Sequence, residues 1–375
     1  MAKKKKVRVR FRKNRQVRTR KTGFTREFAE HGFTEDDSVR KERLSGKGEL
    51  SRKRTVIGDR VENDDCGFSV IPDIDTSACL EGRVLEVKGL ISNVRTSDGR
   101  IYRCAVRRLL KTLSTDQRHV VAAGDRVQFL PDGDEGLIQR VEQRTGILSR
   151  TSRGRQHVLV ANVDRIVVVA SAAEPGLKPH LIDRFLVAAE QVGIEPIICI
   201  NKIDLIDPGP LQPLVGVFAQ MGYKVLQISA ETGLNIDLCK SELADRESVI
   251  VGQSGVGKSS ILNAIEPGLA LRTAAVSAET QKGRHTTTTA KLLPLSFGGF
   301  IVDTPGIRQF QLWDVTAEEV AGLFRDIRPF VDGCRFPNCT HTHEEDCAVK
   351  ASVADGRLDM RRYESYCHLR SDGQL

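Results

Sequence analysis

Val249-Ile250-Val251-Gly252-Gln253-Ser254-Gly255-Val256-Gly257-Lys258-Ser259-Ser260 decides how the rest of the chain is read. It fits the pattern G-x-x-x-x-G-K-[ST]. Three β-prone apolar residues lead in, as in a buried strand, and Ser260-Ile261-Leu262-Asn263-Ala264-Ile265 follows with helical character. Strand, glycine loop and helix form the context that a phosphate-binding loop needs. The glycines let successive backbone N–H groups turn toward one anion, and the helix N-terminus adds its positive dipole end. Lys258 is then expected on the β- and γ-phosphates, and the Ser259 hydroxyl on Mg²⁺.

Working outward, the other nucleotide motifs fall on both sides of this loop. Asn201-Lys202-Ile203-Asp204 follows the apolar run Ile197-Ile198-Cys199-Ile200 and matches the N-K-x-D guanine element of GTPases. Asp204 can accept hydrogen bonds from guanine N1–H and the 2-amino group, a pair of donors that adenine lacks. Lys202 would lay its stem over the base, and Asn201 would tie this loop to its neighbours. Ser229-Ala230-Glu231-Thr232-Gly233 matches S-A-x-T-G, with the Ala230 N–H expected on guanine O6. Asp303-Thr304-Pro305-Gly306 matches D-x-x-G: Asp303 would hold Mg²⁺ through water and the Gly306 N–H would sense the γ-phosphate. Between lies His285-Thr286-Thr287-Thr288-Thr289, where one threonine is expected to ligate Mg²⁺ and His285 is a candidate for positioning water. Ile307 stands where Ras-like enzymes place a water-orienting Gln, so slow intrinsic hydrolysis with stimulation by a partner is expected.

The order of these motifs is permuted. The guanine elements precede the phosphate loop instead of following D-x-x-G. The motifs still converge if each sits at the carboxyl end of a strand in one parallel sheet. Buried runs such as Ile166-Val167-Val168-Val169-Ala170, alternating with the helical stretch 180–189, support that sheet. Upstream, short alternating segments (Arg83–Val87, Ile101–Val106, Asp125–Phe129, Gly136–Val141) separated by Gly and Asp turns suggest a small OB-like β-barrel.

Downstream, Cys334-x4-Cys339-x-His341-x5-Cys347 gathers three thiols and an imidazole, a set suited to one tetrahedral, structural Zn²⁺. His343 and Cys367 are further candidates. Helical sequence flanks the set, at 316–328 and 351–369; the second stretch carries Arg357, Arg361, Arg362 and Arg370 as a candidate RNA-facing row or a solvated face.

Charge is unevenly placed. The net charge is +8, but residues 1–60 hold 21 Lys+Arg against 8 Asp+Glu, a balance of +13, leaving −5 for the rest. Residues 1–20 carry eleven basic residues and no acid, the pattern of a disordered polyelectrolyte arm for nucleic-acid phosphates. No apolar h-region follows the basic N-terminus, and no run approaches a membrane span. Nine cysteines without an export signal favour thiols or metal ligands over disulfides. A cytoplasmic, monomeric protein without membrane contact is expected. It divides into a basic, mostly disordered arm and linker (1–78), an OB-like barrel (79–150), an α/β circularly permuted P-loop GTPase domain (155–312) and a small helical zinc domain (313–375).

Taken together, the barrel, the permuted motifs (Gly252 to Ser260, Lys282 to Thr288, Asp303 to Gly306) and the Cys-Cys-His-Cys knuckle resemble the ribosome small subunit-dependent GTPase A family (RsgA, also called YjeQ) over roughly residues 79–370. The resemblance implies a GTPase of late small-subunit maturation that binds ribosomal RNA and is activated by that subunit. The alternative is an RNA-binding zinc adaptor that binds GTP with little turnover. Large-subunit assembly by a permuted GTPase fits the barrel and knuckle poorly.

Overall fold

The computed structural model describes residues 6–10, 53–60, 70–72, 77–107, 110, 120–152, 155–269, 290–303 and 315–371. These residues form two compact units. One holds the N-terminal segments and most of the chain to Arg144; the other holds Thr145 onward with Leu85–Val87 and Ala122–Gly124.

In the first unit, strands β1 (Lys6–Arg10), β2 (Lys53–Arg60) and β3 (Val70–Pro72) pair antiparallel, in that order. They fall within the stretch expected to be arm and linker. Lys6-Val7-Arg8-Val9-Arg10 alternates basic and apolar residues, the period of a strand. The basic count concealed that alternation.

Five strands follow: β4 (Leu80–Lys88), β5 (Ile91–Arg95), β6 (Ile101–Val106), β7 (Arg126–Asp132) and β8 (Glu135–Val141). Their order is β4-β5-β6-β8-β7, and β7 closes back on β4. The β6–β8 pair is parallel, whereas β5–β6 and β7–β8 are antiparallel. A closed five-strand barrel with this order is OB-like, as expected. Alternate residues fill it: Val84, Val94, Cys104, Val127, Phe129 and Ile138 are buried, with the Tyr102 and Phe129 rings 5.1 Å apart. Strand β5 was missed because Ile91-Ser92-Asn93-Val94-Arg95 carries only two large apolar residues, on opposite faces; the inner face is Ser92 and Val94.

The second unit begins with the hairpin β9 (Leu148–Ser152) and β10 (Arg155–Val160). The six-stranded sheet comprises β11 (Arg165–Ser171), β12 (Glu195–Asn201), β13 (Lys224–Gln227), β14 (Glu247–Val251), β15 (Lys291–Pro294) and β16 (Phe300–Asp303). Its order is β13-β12-β11-β14-β16-β15, parallel except for β15. The chain winds outward from β11 to β13 and then returns to β14 on the other side of β11. This reversal makes the carboxyl ends of β11 and β14 the natural ligand crevice.

Every residue of β11 is buried, and its two faces enter different cores. Ile166 and Val168 pack with helix α1 (Pro179–Val192). Val167 and Val169 pack with α3 (Ile236–Leu243) and α4 (Lys258–Ile265). Helix α2 (Gln212–Gln220) precedes β13. In α1 the buried Ile182, Phe185, Leu186 and Ala189 repeat at helical spacing, and Gly193, with φ of 65°, ends the helix.

Beyond Val315 come α5 (Val320–Leu323), α6 (Arg328–Val331), α7 (Ala348–Ala354) and α8 (Met360–Ser371). The expected long flanking helices are broken into these short pieces. Gly322, Pro329 and Gly356 lie at or beside the breaks, as helix-weakening residues should. Phe324, Ile327, Val349 and Tyr366 share one apolar cluster with Ile182, Phe185 and Val168. The helical segment is thus packed onto the sheet's own core. Among the described residues no helix is long and apolar enough to cross a membrane.

Candidate nucleotide and metal sites

The predicted phosphate loop leaves β14 and enters α4. Gly252, Gly255 and Gly257 have φ values of 146°, 84° and 92°, in the region that favours glycine. Space enforces the choice as well. A Cβ on Gly252 would lie 2.2 Å from the Val169 carbonyl oxygen, and one on Gly257 would lie 2.3 Å from Asn201 Nδ2. Lys258 Nζ donates to the carbonyls of Gly252 (2.9 Å) and Gln253 (2.7 Å), so the lysine folds across its own loop. Ser259 and Ser260 follow on the first turn of α4, half-buried.

Asn201 joins the motifs. It ends β12 at 1 % exposure. Its Nδ2 donates to the Val256 carbonyl at 2.9 Å, and its Oδ1 accepts from the Ala230 N–H at 3.1 Å. One side chain therefore fastens the guanine element to the phosphate loop and to the S-A-x-T-G loop, although 55 and 29 residues separate the partners. Lys202 takes a left-handed φ of 62° and its Nζ donates to the Glu174 carbonyl. Ile203 is buried as an anchor, while Asp204 beside it is exposed and available to a ligand. In the next loop Ser229 Oγ accepts from the Thr232 N–H at 3.1 Å, which shapes the turn around Ala230.

Strand β16 runs parallel beside β14 and ends at Asp303. By chemistry, a serine hydroxyl such as that of Ser259 and a carboxylate such as that of Asp303 are the hard oxygen donors that Mg²⁺ takes. His285, Thr286, Thr287, Thr288, Gly306 and Ile307 lie outside the described residues. The loop from Ala172 to Lys178, which supplies the Glu174 carbonyl, was not foreseen; it carries no motif, and only its place after β11 could have marked it.

The four predicted metal ligands also meet. One donor atom from each of Cys334, Cys339, His341 and Cys347 lies within 4.8 Å of all the others. Cys334 Sγ is 3.3 Å from His341 Nδ1 and 3.8 Å from Cys347 Sγ; Cys347 Sγ is 3.5 Å from His341 Nδ1. A tetrahedral ion with Zn–S near ~2.3 Å and Zn–N near ~2.0 Å sets S···S edges of about 3.8 Å and S···N edges of about 3.5 Å. Donors and spacing thus fit a closed metal shell. Burial lowers the His341 pKa, which keeps the imidazole neutral, the form that binds metal. His343 and Cys367 are not among the clustered donors. His343 is 80 % exposed.

Two tyrosines that were not anticipated hold this loop. Tyr363 Oη donates to the His341 carbonyl at 2.8 Å and Tyr366 Oη to the Thr340 carbonyl at 2.7 Å. Their i, i+3 spacing on α8 was the available signal. Glu344 accepts from the Thr340 and Thr342 N–H groups at 2.6 and 3.1 Å. The proposed RNA-facing arginines need correction. Arg362 is 1 % exposed and bonded to Asp183 and Asp326, so it cannot face a ligand. Arg370 donates to the Ala317 carbonyl at 2.6 Å.

The guanine and phosphate elements thus share one edge of a permuted sheet, with a four-donor metal loop beyond them. Comparison with known proteins gives the same pattern. Residues 141–313 match the family model described as RsgA GTPase. A protein of Gemmatimonas aurantiaca named "Small ribosomal subunit biogenesis GTPase RsgA" is 41 % identical over 297 residues, covering 78 % of this chain and 96 % of the relative. The chain belongs to the RsgA family. Another member, from Sodalis glossinidius and of the same name, is 36 % identical over 332 residues, covering 87 % and 95 %. Among solved structures, YjeQ from Thermotoga maritima matches with a TM-score of 0.65 at 33 % identity, over 78 % of this chain and 98 % of that one. YloQ, described as a circularly permuted GTPase, matches with a TM-score of 0.63 at 30 % identity, over 80 % and 96 %.

Proposed function

We propose that this chain is a GTPase that binds the small ribosomal subunit and hydrolyses GTP to time a late step of its maturation, with hydrolysis stimulated by the subunit. The observation that carries the reading is Asn201, which fastens the guanine element to the phosphate loop and to Ala230 in one crevice. The names of the relatives, small ribosomal subunit biogenesis GTPases, support the subunit as partner.

In this reading Asp204 accepts from guanine N1–H and the 2-amino group, the Ala230 N–H donates to O6, and Lys202 covers the base. The N–H groups of Gly252 to Ser260 cradle the phosphates, and Lys258 swings from its loop carbonyls to the β- and γ-oxygens. Ser259 and Asp303 hold Mg²⁺, which neutralises charge on the phosphates when bound. The Gly306 N–H senses the γ-phosphate, and one of Thr286, Thr287 or Thr288 would ligate Mg²⁺ when GTP is bound. With Ile307 unable to orient water, docking brings the attacking water into line, and His285 is our candidate for holding it. Cys334, Cys339, His341 and Cys347 hold a structural Zn²⁺. The basic arm meets RNA phosphates, and the protein acts as a cytoplasmic monomer. The four-part division at 78, 150–155 and 312 is our reading of how these roles are distributed along the chain.

Co-sedimentation tests the partner. With a non-hydrolysable GTP analogue the chain should pellet with small subunits and not with large ones, and GDP should release it. Equal pelleting with both subunits would overturn the assignment.

A further inference from the structure

Arg362 is a buried arginine with two carboxylates around it. Its Nη1 donates to Asp183 Oδ1 at 2.6 Å, and its Nε and Nη2 donate to Asp326 Oδ2 and Oδ1 at 2.9 Å each. Its guanidinium lies 4.5 Å from the Phe324 ring centre. Asp183 is fully buried in α1; its Oδ2 has no hydrogen bond and the Ser365 hydroxyl is its polar neighbour. Burial pushes the Asp183 carboxyl up, and the Arg362 charge pulls against it.

Such an ion pair is a poor source of stability. Well-packed apolar side chains of similar volume would match or exceed it, because two charges leave water. What a bidentate, buried guanidinium does supply is a single allowed geometry. The placement of the pair shows what that geometry controls. Arg362 sits on α8, next to Tyr363 and one turn from Tyr366, whose hydroxyls hold the metal-loop carbonyls. Asp183 sits on α1, next to Ile182. Leu181, Ile182 and Phe185 line one small crevice together with Ser171 at the end of β11 and with Gln253 and Val256 of the phosphate loop. A second contact grips α1 seven residues later: Arg325 Nε lies 2.6 Å from Glu190 Oε1 and the guanidinium stacks 4.3 Å over Tyr223. Seven helical residues span about 10 Å, so the two grips fix both position and rotation of α1.

We propose that Arg362 and Asp183 are a positioning pair that couples the metal-loop segment to the phosphate-binding loop through helix α1. It rests on the GTPase reading above. A load on the metal loop moves α8, Arg362 carries the shift to Asp183, and α1 changes the wall behind Gln253 and Val256. Linkage makes the coupling reciprocal, so nucleotide must also act on α8.

The test uses the full chain and a fluorescent GDP analogue at saturating Mg²⁺. The double substitution Asp183→Leu with Arg362→Met removes both charges and leaves neither Asp183 nor Arg362 orphaned. With Asp326→Asn added, so that no carboxylate is left without its guanidinium, the variant should keep its metal content and melting temperature yet release nucleotide at least about fivefold faster, the lower end of usual coupling strengths. An off-rate within about twofold of wild type, with metal and melting temperature retained, would make the pair simple glue. Hydrogen exchange on the unaltered chain gives a second readout that does not depend on a variant folding. Adding the analogue should slow exchange in Met360–Ser371, and unchanged exchange there overturns the proposal. Failure of the unaltered chain to bind the analogue would instead sink the GTPase reading itself.

Discussion

At the scale of single residues, we propose that Asp204 carries base choice, while Asn201 ties the loops of the site together. Asp204 is exposed beside the buried Ile203, so its carboxylate is free to serve a ligand. A carboxylate offers two acceptors, which match the N1–H and 2-amino donors of guanine. An amide offers one donor and one acceptor, which match the 2-oxo group and N1–H of xanthine. Asp204→Asn should therefore lower GTP affinity by about a hundredfold or more and favour xanthosine nucleotides, as measured by competition against a fluorescent nucleotide. Retained preference for GTP would remove Asp204 from the site. Asn201 was legible as a tie because N-K-x-D is a short, contiguous pattern. Arg362 was not legible. Its partner Asp183 is 179 residues away, and an arginine in a polar helix reads as a solvated one until the fold buries it.

At the scale of elements, short motifs at strand ends were readable, whereas the packing of whole segments was not. The sheet strands announced themselves by continuous apolar runs such as Ile166 to Ala170, and barrel strands by alternation. Strand β5 and the arm strands were hidden because weak apolar content or dense charge masks a period of two. The helical segment after Val315 looked self-contained because its four ligands lie close together in sequence, between Cys334 and Cys347. Its apolar residues, however, complete a core begun by α1, as Phe324 and Tyr366 show. This sharpens the prediction for the metal loop. Metal binding contributes folding free energy directly. Cys339→Ser, or a strong chelator, should lower bound metal and open residues 334–347 to protease, while β11, β12 and β14 remain resistant. Full resistance of the loop after metal loss would contradict a structural metal.

At the scale of the whole molecule, the permutation places D-x-x-G at the end of the sheet domain, directly before the segment that grips α1. That segment carries Arg325 and Arg362, which hold α1 through Glu190 and Asp183. The charge balance, +13 in residues 1–60 against −5 in the remainder, supports our proposal that the arm attracts RNA phosphates. Deleting residues 1–20 should weaken RNA binding and flatten its salt dependence, since each lost phosphate contact removes about 0.7–0.9 from the log–log slope. An unchanged slope would leave the arm without contact to RNA. The central claim is GTP hydrolysis triggered by the small subunit, and steady-state GTP turnover by the purified full chain measures it most directly. Turnover should be slow alone, rise severalfold or more with small subunits and vanish in both conditions for Lys258→Ala. Binding of GTP and subunits without any rise in turnover would contradict the account.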